Sequence, residues 1–194
     1  MDNKLLKYFL KIHPLSGEEI DAIDETMTMQ HFKKNTVLLK EGQTSTEVYF
    51  VLEGIIRQYY LMDGEEKTTD FFADEQWVIS LNGIHPNSPS KHYLECCTDC
   101  SVLIGNSEKG EALYQKYPNL GIVSRKLMEN VFAAQQARME AFTINSPIIR
   151  YQNLLQSRPD LFQRIPQYQI ASYIGVTPES LSRIRKRLII NAKK

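Results

Sequence analysis

Between about residues 31 and 107 the apolar and β-branched residues come in short runs: "TVLLK", "VYFVL", "IIRQYYL", "KTTDFF", "HYLECC" and "CSVLIG". Turn residues punctuate them at Glu41-Gly42, Glu53-Gly54, Asp63-Gly64 and in "HPNSPS". A run this short must share its apolar face with many neighbours. Many such runs at close spacing predict an antiparallel β-barrel or jelly roll. Asp63-Gly64 lies between two strand-like runs and is a hairpin signal, because both residues tolerate the positive φ that a two-residue turn needs.

Helical texture flanks the strands. Within the first thirty residues Ser16 and Glu19 are spaced as a capping box, and Ile20, Ile23 and Met27 follow at helical intervals. After Tyr117-Pro118 comes "NLGIVSRKLMENVFAAQQARMEAF", in which Leu120, Val123, Leu127, Val131, Ala134 and Ala141 recur three, four or seven apart. So long a helix with so narrow a stripe fits a dimerisation seam against a second copy; the alternative is a helix packed on its own barrel. Arg138 interrupts the stripe. Asn145-Ser146-Pro147 breaks the helix, and Pro147 suits the first turn of the next. There Ile148, Ile149, Tyr151, Leu154 and Leu155 form a core face, ended by Ser157-Arg158-Pro159-Asp160. The expected organisation is α+β. Residues 1–117 form a sensor barrel with an N-terminal helix, 118–145 a dimerisation helix, and 146–194 a helix-turn-helix unit.

That last assignment rests on "IASYIGVTPESLSRIRKRL". Two helices crossing closely need a small residue at the contact and a glycine in the turn. Ala171 and Gly175 supply them, and Ile170, Ile174, Val176, Leu181 and Ile184 supply the inward set. Thr177 is an N-cap for the second helix and Pro178 its first residue. The outward face carries Thr177, Pro178, Glu179, Ser182, Arg183 and Lys186. Arg183 can pair bidentately with guanine and Glu179 can accept from cytosine N4, unless Glu179 is simply a solvated acid. Arg185, Lys186 and Arg187 suit phosphates, and Tyr168 and Gln169 could touch the backbone.

Charge supports a polyanion-binding end. The chain as a whole is neutral, with 23 basic and 23 acidic residues. From Ser146 onward nine basic residues face two acidic ones, a net +7, which leaves −7 on residues 1–145.

Taken together, "EGQTSTEVYFVLEGIIRQYYL" and "IPQYQIASYIGVTPESLSRIRKRL" make the chain resemble the bacterial Crp/Fnr transcription regulators over nearly its whole length. The resemblance implies a cyclic-nucleotide-binding-like barrel, a long dimer helix and a C-terminal winged helix-turn-helix that reads a palindromic site. It implies that Glu179 and Arg183 read bases. Where relatives often carry a larger base-reading side chain stands Pro178, which cannot play that part, so the operator is expected to depart from the family's best-known sites. The chain stops at Lys194, and the wing is expected to be truncated or absent. Cyclic-nucleotide binders of the family carry a Gly-Glu pair and an arginine ten residues past the Glu; here Ile79-Ser80 and Ser90 stand in those places, with Lys91 beside the last. A buried phosphate needs a paired cation, and alternation aims Lys91 to the other face, so cyclic AMP or GMP is disfavoured and no cofactor is expected.

Other chemistry finds little support. Cys96, Cys97 and Cys100 are too few and too divergently aimed for an iron–sulfur cluster and read as buried structural thiols. His13, His31, His85 and His92 are scattered, and no phosphate loop, nucleophile elbow or zinc motif is present, so no enzyme is expected. The opening apolar run is too short for a signal peptide and no stretch approaches the roughly 20 apolar residues that span a bilayer. The expectation is a cytoplasmic homodimer whose partners are double-stranded DNA, itself and RNA polymerase, with no membrane. The alternative is a small-molecule or redox sensor acting through protein partners.

Overall fold

In the computed structural model residues 2–80 and 88–191 are described; His85 and the first half of the "HPNSPS" turn lie outside them. The chain opens with α1 (Asn3–Ile12) and α2 (Gly17–Thr26). The expected capping box closes α2: Ser16 N–H donates to Glu19 Oε2 at 2.8 Å and Glu19 N–H to Ser16 Oγ at 3.3 Å. The helical region is shorter than thirty residues, because Met27 caps α2 and β1 (Thr28–Phe32) starts at once.

Seven more strands follow: β2 (Val37–Leu39), β3 (Glu47–Glu53), β4 (Ile56–Met62), β5 (Glu65–Phe72), β6 (Trp77–Ile79), β7 (Tyr93–Cys96) and β8 (Cys100–Asn106). They form two antiparallel sheets in the orders β1-β8-β3-β6 and β2-β7-β4-β5, the jelly roll that the sequence implied. Asp63 (φ 53°) and Gly64 (φ 79°) join β4 to β5, and Met62 pairs with Glu65. Two successive positive φ values give the turn whose twist matches that of its strands. Gly54 needs its missing side chain for another reason. At φ 116° a Cβ there would stand 2.6 Å from Cys100 Sγ and 2.7 Å from the Asp99 carbonyl oxygen.

Alternation along the strands divides the apolar residues between two layers. Tyr49, Val51, Val78 and Val102 face Leu39, Ile56, Leu94 and Cys96 between the sheets. Phe50, Leu52, Trp77 and Leu103 turn to the outer face of the first sheet, where α1, α2 and the long helix α4 (Pro118–Ile144) cover them; α3 (Ser107–Lys116) leads into α4. Leu120, Val123 and Leu127 of α4 belong to this second layer. Three of the six residues expected at a dimer seam are therefore buried against the chain's own barrel, and Val131 packs at the edge of the same cluster.

The remaining helices are α5 (Pro147–Ser157), α6 (Leu161–Arg164), α7 (Gln167–Tyr173) and α8 (Pro178–Asn191). Tyr151, Leu154, Leu161, Ile170, Ile174 and Leu181 make their core, while Ile149 and Leu155 are each 43% exposed. Ile55, Phe71 and Cys97 of the barrel join the same cluster, so the helical unit is seated on the second sheet. Polar contacts fix the seat. The Ser172 hydroxyl accepts from Thr68 N–H and donates to the Glu66 carbonyl, both at 2.9 Å, which satisfies groups on edge strand β5. Arg158 donates to the Phe71 carbonyl at 2.9 Å, and Arg138 of α4 pairs with Asp70 of β5 at 2.7 Å. Arg138, an interruption in the sequence pattern, is thus a strut between α4 and the barrel.

Burial raises the Asp70 carboxyl to about 6, outweighing the opposing pull of Arg138. The unfolded chain then loses this proton at lower pH than the folded one, so this group's contribution to stability falls as pH rises from about 4 to about 6 and is constant above that. Denaturant unfolding across that range should show the wild-type advantage over Asp70→Asn shrinking by about 3 kcal/mol with rising pH; a constant difference would show that Asp70 titrates normally.

Candidate nucleic-acid interface

The turn between α7 and α8 is closed by a complete set of backbone bonds. Val176 N–H donates to the Ala171 carbonyl at 2.9 Å and Gly175 N–H to the Ser172 carbonyl at 3.0 Å, with Gly175 at φ +73°. This is the Schellman geometry, which a left-handed residue must complete. A Cβ at Gly175 would also lie 2.8 Å from the Phe142 ring. Ala171 is fully buried where the helices cross. Thr177 caps α8, its hydroxyl accepting from Ser180 N–H at 3.2 Å.

Arg150, in the first turn of α5, ties this turn to the end of α4. Its guanidinium donates to the carbonyls of Ile174 at 2.9 Å, Phe142 at 2.9 Å and Asn145 at 2.7 Å, and lies 4.4 Å from the Phe142 ring centroid. Carbonyls at helix C-termini lack intrahelical donors, and a cation is favoured there. One side chain satisfies two helix ends in this way. Arg150 counted in the basic excess of the sequence but is committed to structure.

With Leu181 buried, the 100° step of a helix places Glu179, Arg183 and Lys186 within about 60° of one another on the opposite side. All three are exposed, as are Thr177, Pro178, Ser182, Arg185 and Arg187. Arg183 donates to Ser180 Oγ at 3.1 Å and Arg185 to Gln167 Oε1 at 3.0 Å. The backbone N–H of Glu179 and the Thr177 hydroxyl, helped by Arg183, hold the Glu179 carboxyl below its ordinary range. Tyr168 is 56% exposed. Gln169 is not on this surface: it is 6% exposed, accepts from the Cys97 thiol at 3.6 Å and donates to Tyr168 Oη at 3.3 Å. It seats α7 on the barrel, and its expected contact with nucleic acid is corrected accordingly.

Jelly roll, long helix and terminal helix pair occur together in known proteins. Residues 29–117 match the profile of the cyclic nucleotide-binding domain. Over 190 residues the chain is 26% identical to the anaerobic regulatory protein of Aggregatibacter actinomycetemcomitans, an alignment covering 89% of this chain and 72% of that one. A protein from Eubacterium rectale assigned to the Crp/Fnr family of transcriptional regulators superposes with a TM-score of 0.71 at 18% identity, over 91% of this chain and 85% of its own. FixK2 from Bradyrhizobium japonicum does so with a TM-score of 0.69 at 20% identity, over 86% of each chain. The chain has the Crp/Fnr fold.

At the positions where the Crp/Fnr resemblance implies an effector pocket, the four expected residues do not converge. Ile79 turns to the outer face of its sheet and packs with the layer under α4. Lys91 is exposed. Ser80 and Ser90 are buried; the Ser90 hydroxyl donates to the His92 carbonyl at 2.8 Å and accepts from its N–H at 3.1 Å. Burial lowers the pKa of His92 and so favours its neutral ring. Cys96 and Cys100 lie between the sheets while Cys97 faces the terminal helices; all three are free and buried. No group of three or more metal-ligating side chains occurs among the described residues, and no described helix is long and apolar enough to cross a membrane.

Sequence periodicity missed the exposed side of α4. Phe132 (65% exposed), Met139 (68%) and Phe142 (50%) continue Met128 and Gln135 at alternating steps of four and three. The signal was present but overlaid by the barrel-facing stripe of the same helix.

Gly175→Ala should destabilise the terminal helix pair by on the order of 1–3 kcal/mol, because both the backbone conformation and the Phe142 contact oppose a Cβ. Thermal unfolding of the variant measures this; an unchanged midpoint would mean that the turn relaxes freely.

Proposed function

We propose that the protein is a sequence-specific DNA-binding transcription regulator that acts as a homodimer on a palindromic site. The observation that carries this reading is the exposed stripe of Glu179, Arg183 and Lys186 on a helix whose other side is locked to the core through Leu181. A helix held in that way presents base-reading groups to a major groove without needing to order them first. Arg183 is assigned to guanine, Glu179 to cytosine N4, and Lys186 and Arg187 to phosphates. The relatives described above, one titled an anaerobic regulatory protein and another assigned to the Crp/Fnr regulators, support the same reading.

The second copy is assigned to the stripe of half-buried Met128 and exposed Phe132, Gln135, Met139 and Phe142. Steps of four and three are the spacing of a two-stranded coiled-coil seam, and large apolar side chains left in water favour its closure. Ala134 and Ala141 flank this stripe. Two-fold symmetry then sets two copies of α8 about 34 Å apart, one turn of DNA. RNA polymerase is a further partner of this reading.

Cyclic nucleotide is not the proposed effector. A cyclic phosphate needs a free buried cation, yet Lys91 is exposed, and the buried Arg57 is already held by Glu66 at 2.7 Å and Glu95 at 2.6 Å.

Selection from random duplex DNA should enrich one palindrome. Arg183→Ala should then weaken binding by about 1–3 kcal/mol and relax preference at one base pair in each half-site. Failure to enrich any symmetric site contradicts the reading; a loss that is equal on all sequences reassigns Arg183 to phosphate.

A further inference from the structure

A cavity of about 500 Å³ lies on the outer face of the β1-β8-β3-β6 sheet, on the opposite side of that sheet from the inter-sheet interior. Trp77 and Gly105 form part of its floor, and Phe9 of α1, Ile23 of α2, Tyr114 of α3 and Ser124 of α4 form its walls. Its size is that of a small-molecule site, and four helices and a sheet of one chain bound it. Gly105 is part of how the space is kept: a Cβ there would stand 2.7 Å from Met27 Sδ and 3.2 Å from a Val48 methyl.

Two features define what would fit. Trp77 is buried at 8% exposure, and its indole N–H has no hydrogen-bond partner among the described residues. That nitrogen is itself buried, so what Trp77 offers the cavity is its apolar ring. The charged residues that line the cavity are Glu108 and Glu111, with no lysine or arginine among its lining. Both glutamates are exposed to solvent, so the lining offers a charged ligand no buried partner.

We propose that this cavity binds a neutral, largely apolar small molecule through its mostly apolar lining. An anionic ligand, nucleotides included, would find no lysine or arginine in the lining to pair with. The α4 wall is continuous with Arg138 and Phe142, which touch the barrel edge and the Gly175 turn. An occupant would therefore bear on the helix that carries the terminal pair. That consequence rests on the DNA-binding reading; binding itself does not.

The test is a titration of the full chain with prodan, a neutral naphthalene bearing a ketone, read by its emission and by energy transfer from Trp77, the single tryptophan of the chain. Saturable one-to-one binding with a blue-shifted emission and efficient transfer is expected. Ser124→Phe, which fills the cavity from α4, should weaken binding about tenfold or more. The anionic 8-anilinonaphthalene-1-sulfonate should bind more weakly than prodan to the wild type. Absence of saturable prodan binding, or equal affinity in a folded Ser124→Phe variant, overturns the proposal whatever the outcome of any DNA measurement.

Discussion

The guanidinium of Arg150 holds the end of the long helix against the turn between α7 and α8. It donates to three carbonyls that end helices, two at the C-terminus of α4 and one at the C-terminus of α7, and it covers the Phe142 ring. Those carbonyls have no intrahelical donors, so without Arg150 two helix ends would need water at a packed junction. Phe142 in turn occupies the space that a side chain at Gly175 would need. The exit of the long helix, the start of α5 and the turn before α8 are thus one unit.

The other constraint is the seat of that unit on the barrel. Ser172, Gln169 and Arg158 each spend their polar groups on the second sheet or the residues beside it, and Arg138 adds an ion pair from α4 to Asp70. The consequence for function is geometric. The inward sides of both α7 and α8 are taken up within the chain, and the outward side of α8 is left exposed with its mixed charge. Burying one side of a helix in this way supplies a rigid scaffold for the other.

Much of this was legible in the sequence, for identifiable reasons. The jelly roll could be read because its strands alternate and its hairpin turn carries Asp63-Gly64, whose backbone needs are local. The terminal pair could be read because Ala171, Gly175 and Thr177 each meet a requirement set by their immediate neighbours. Strands β1 and β6 were missed: four of the five β1 residues are exposed, so no alternation marks it, and β6 has three residues. The roles of Gln169, Arg138 and Arg150 were misjudged or unseen because their partners lie far along the chain or on another element, and no local pattern encodes them. Because α4 is apolar on two sides, the expected seam mixes residues that answer to the barrel (Leu120, Val123 and Leu127) with others.

The exposed side of α8, with Arg183 and Lys186 beside Glu179, is proposed to contact DNA in a chain whose overall charge is zero. The most direct test of that contact is the salt dependence of binding to a duplex, compared between the wild type and Lys186→Ala. Each phosphate contact releases counterions, so the logarithm of the binding constant should fall linearly with the logarithm of salt concentration, and loss of Lys186 from both copies should reduce that slope by about 2. A wild-type affinity insensitive to salt, or a slope unchanged in the variant, would contradict the account.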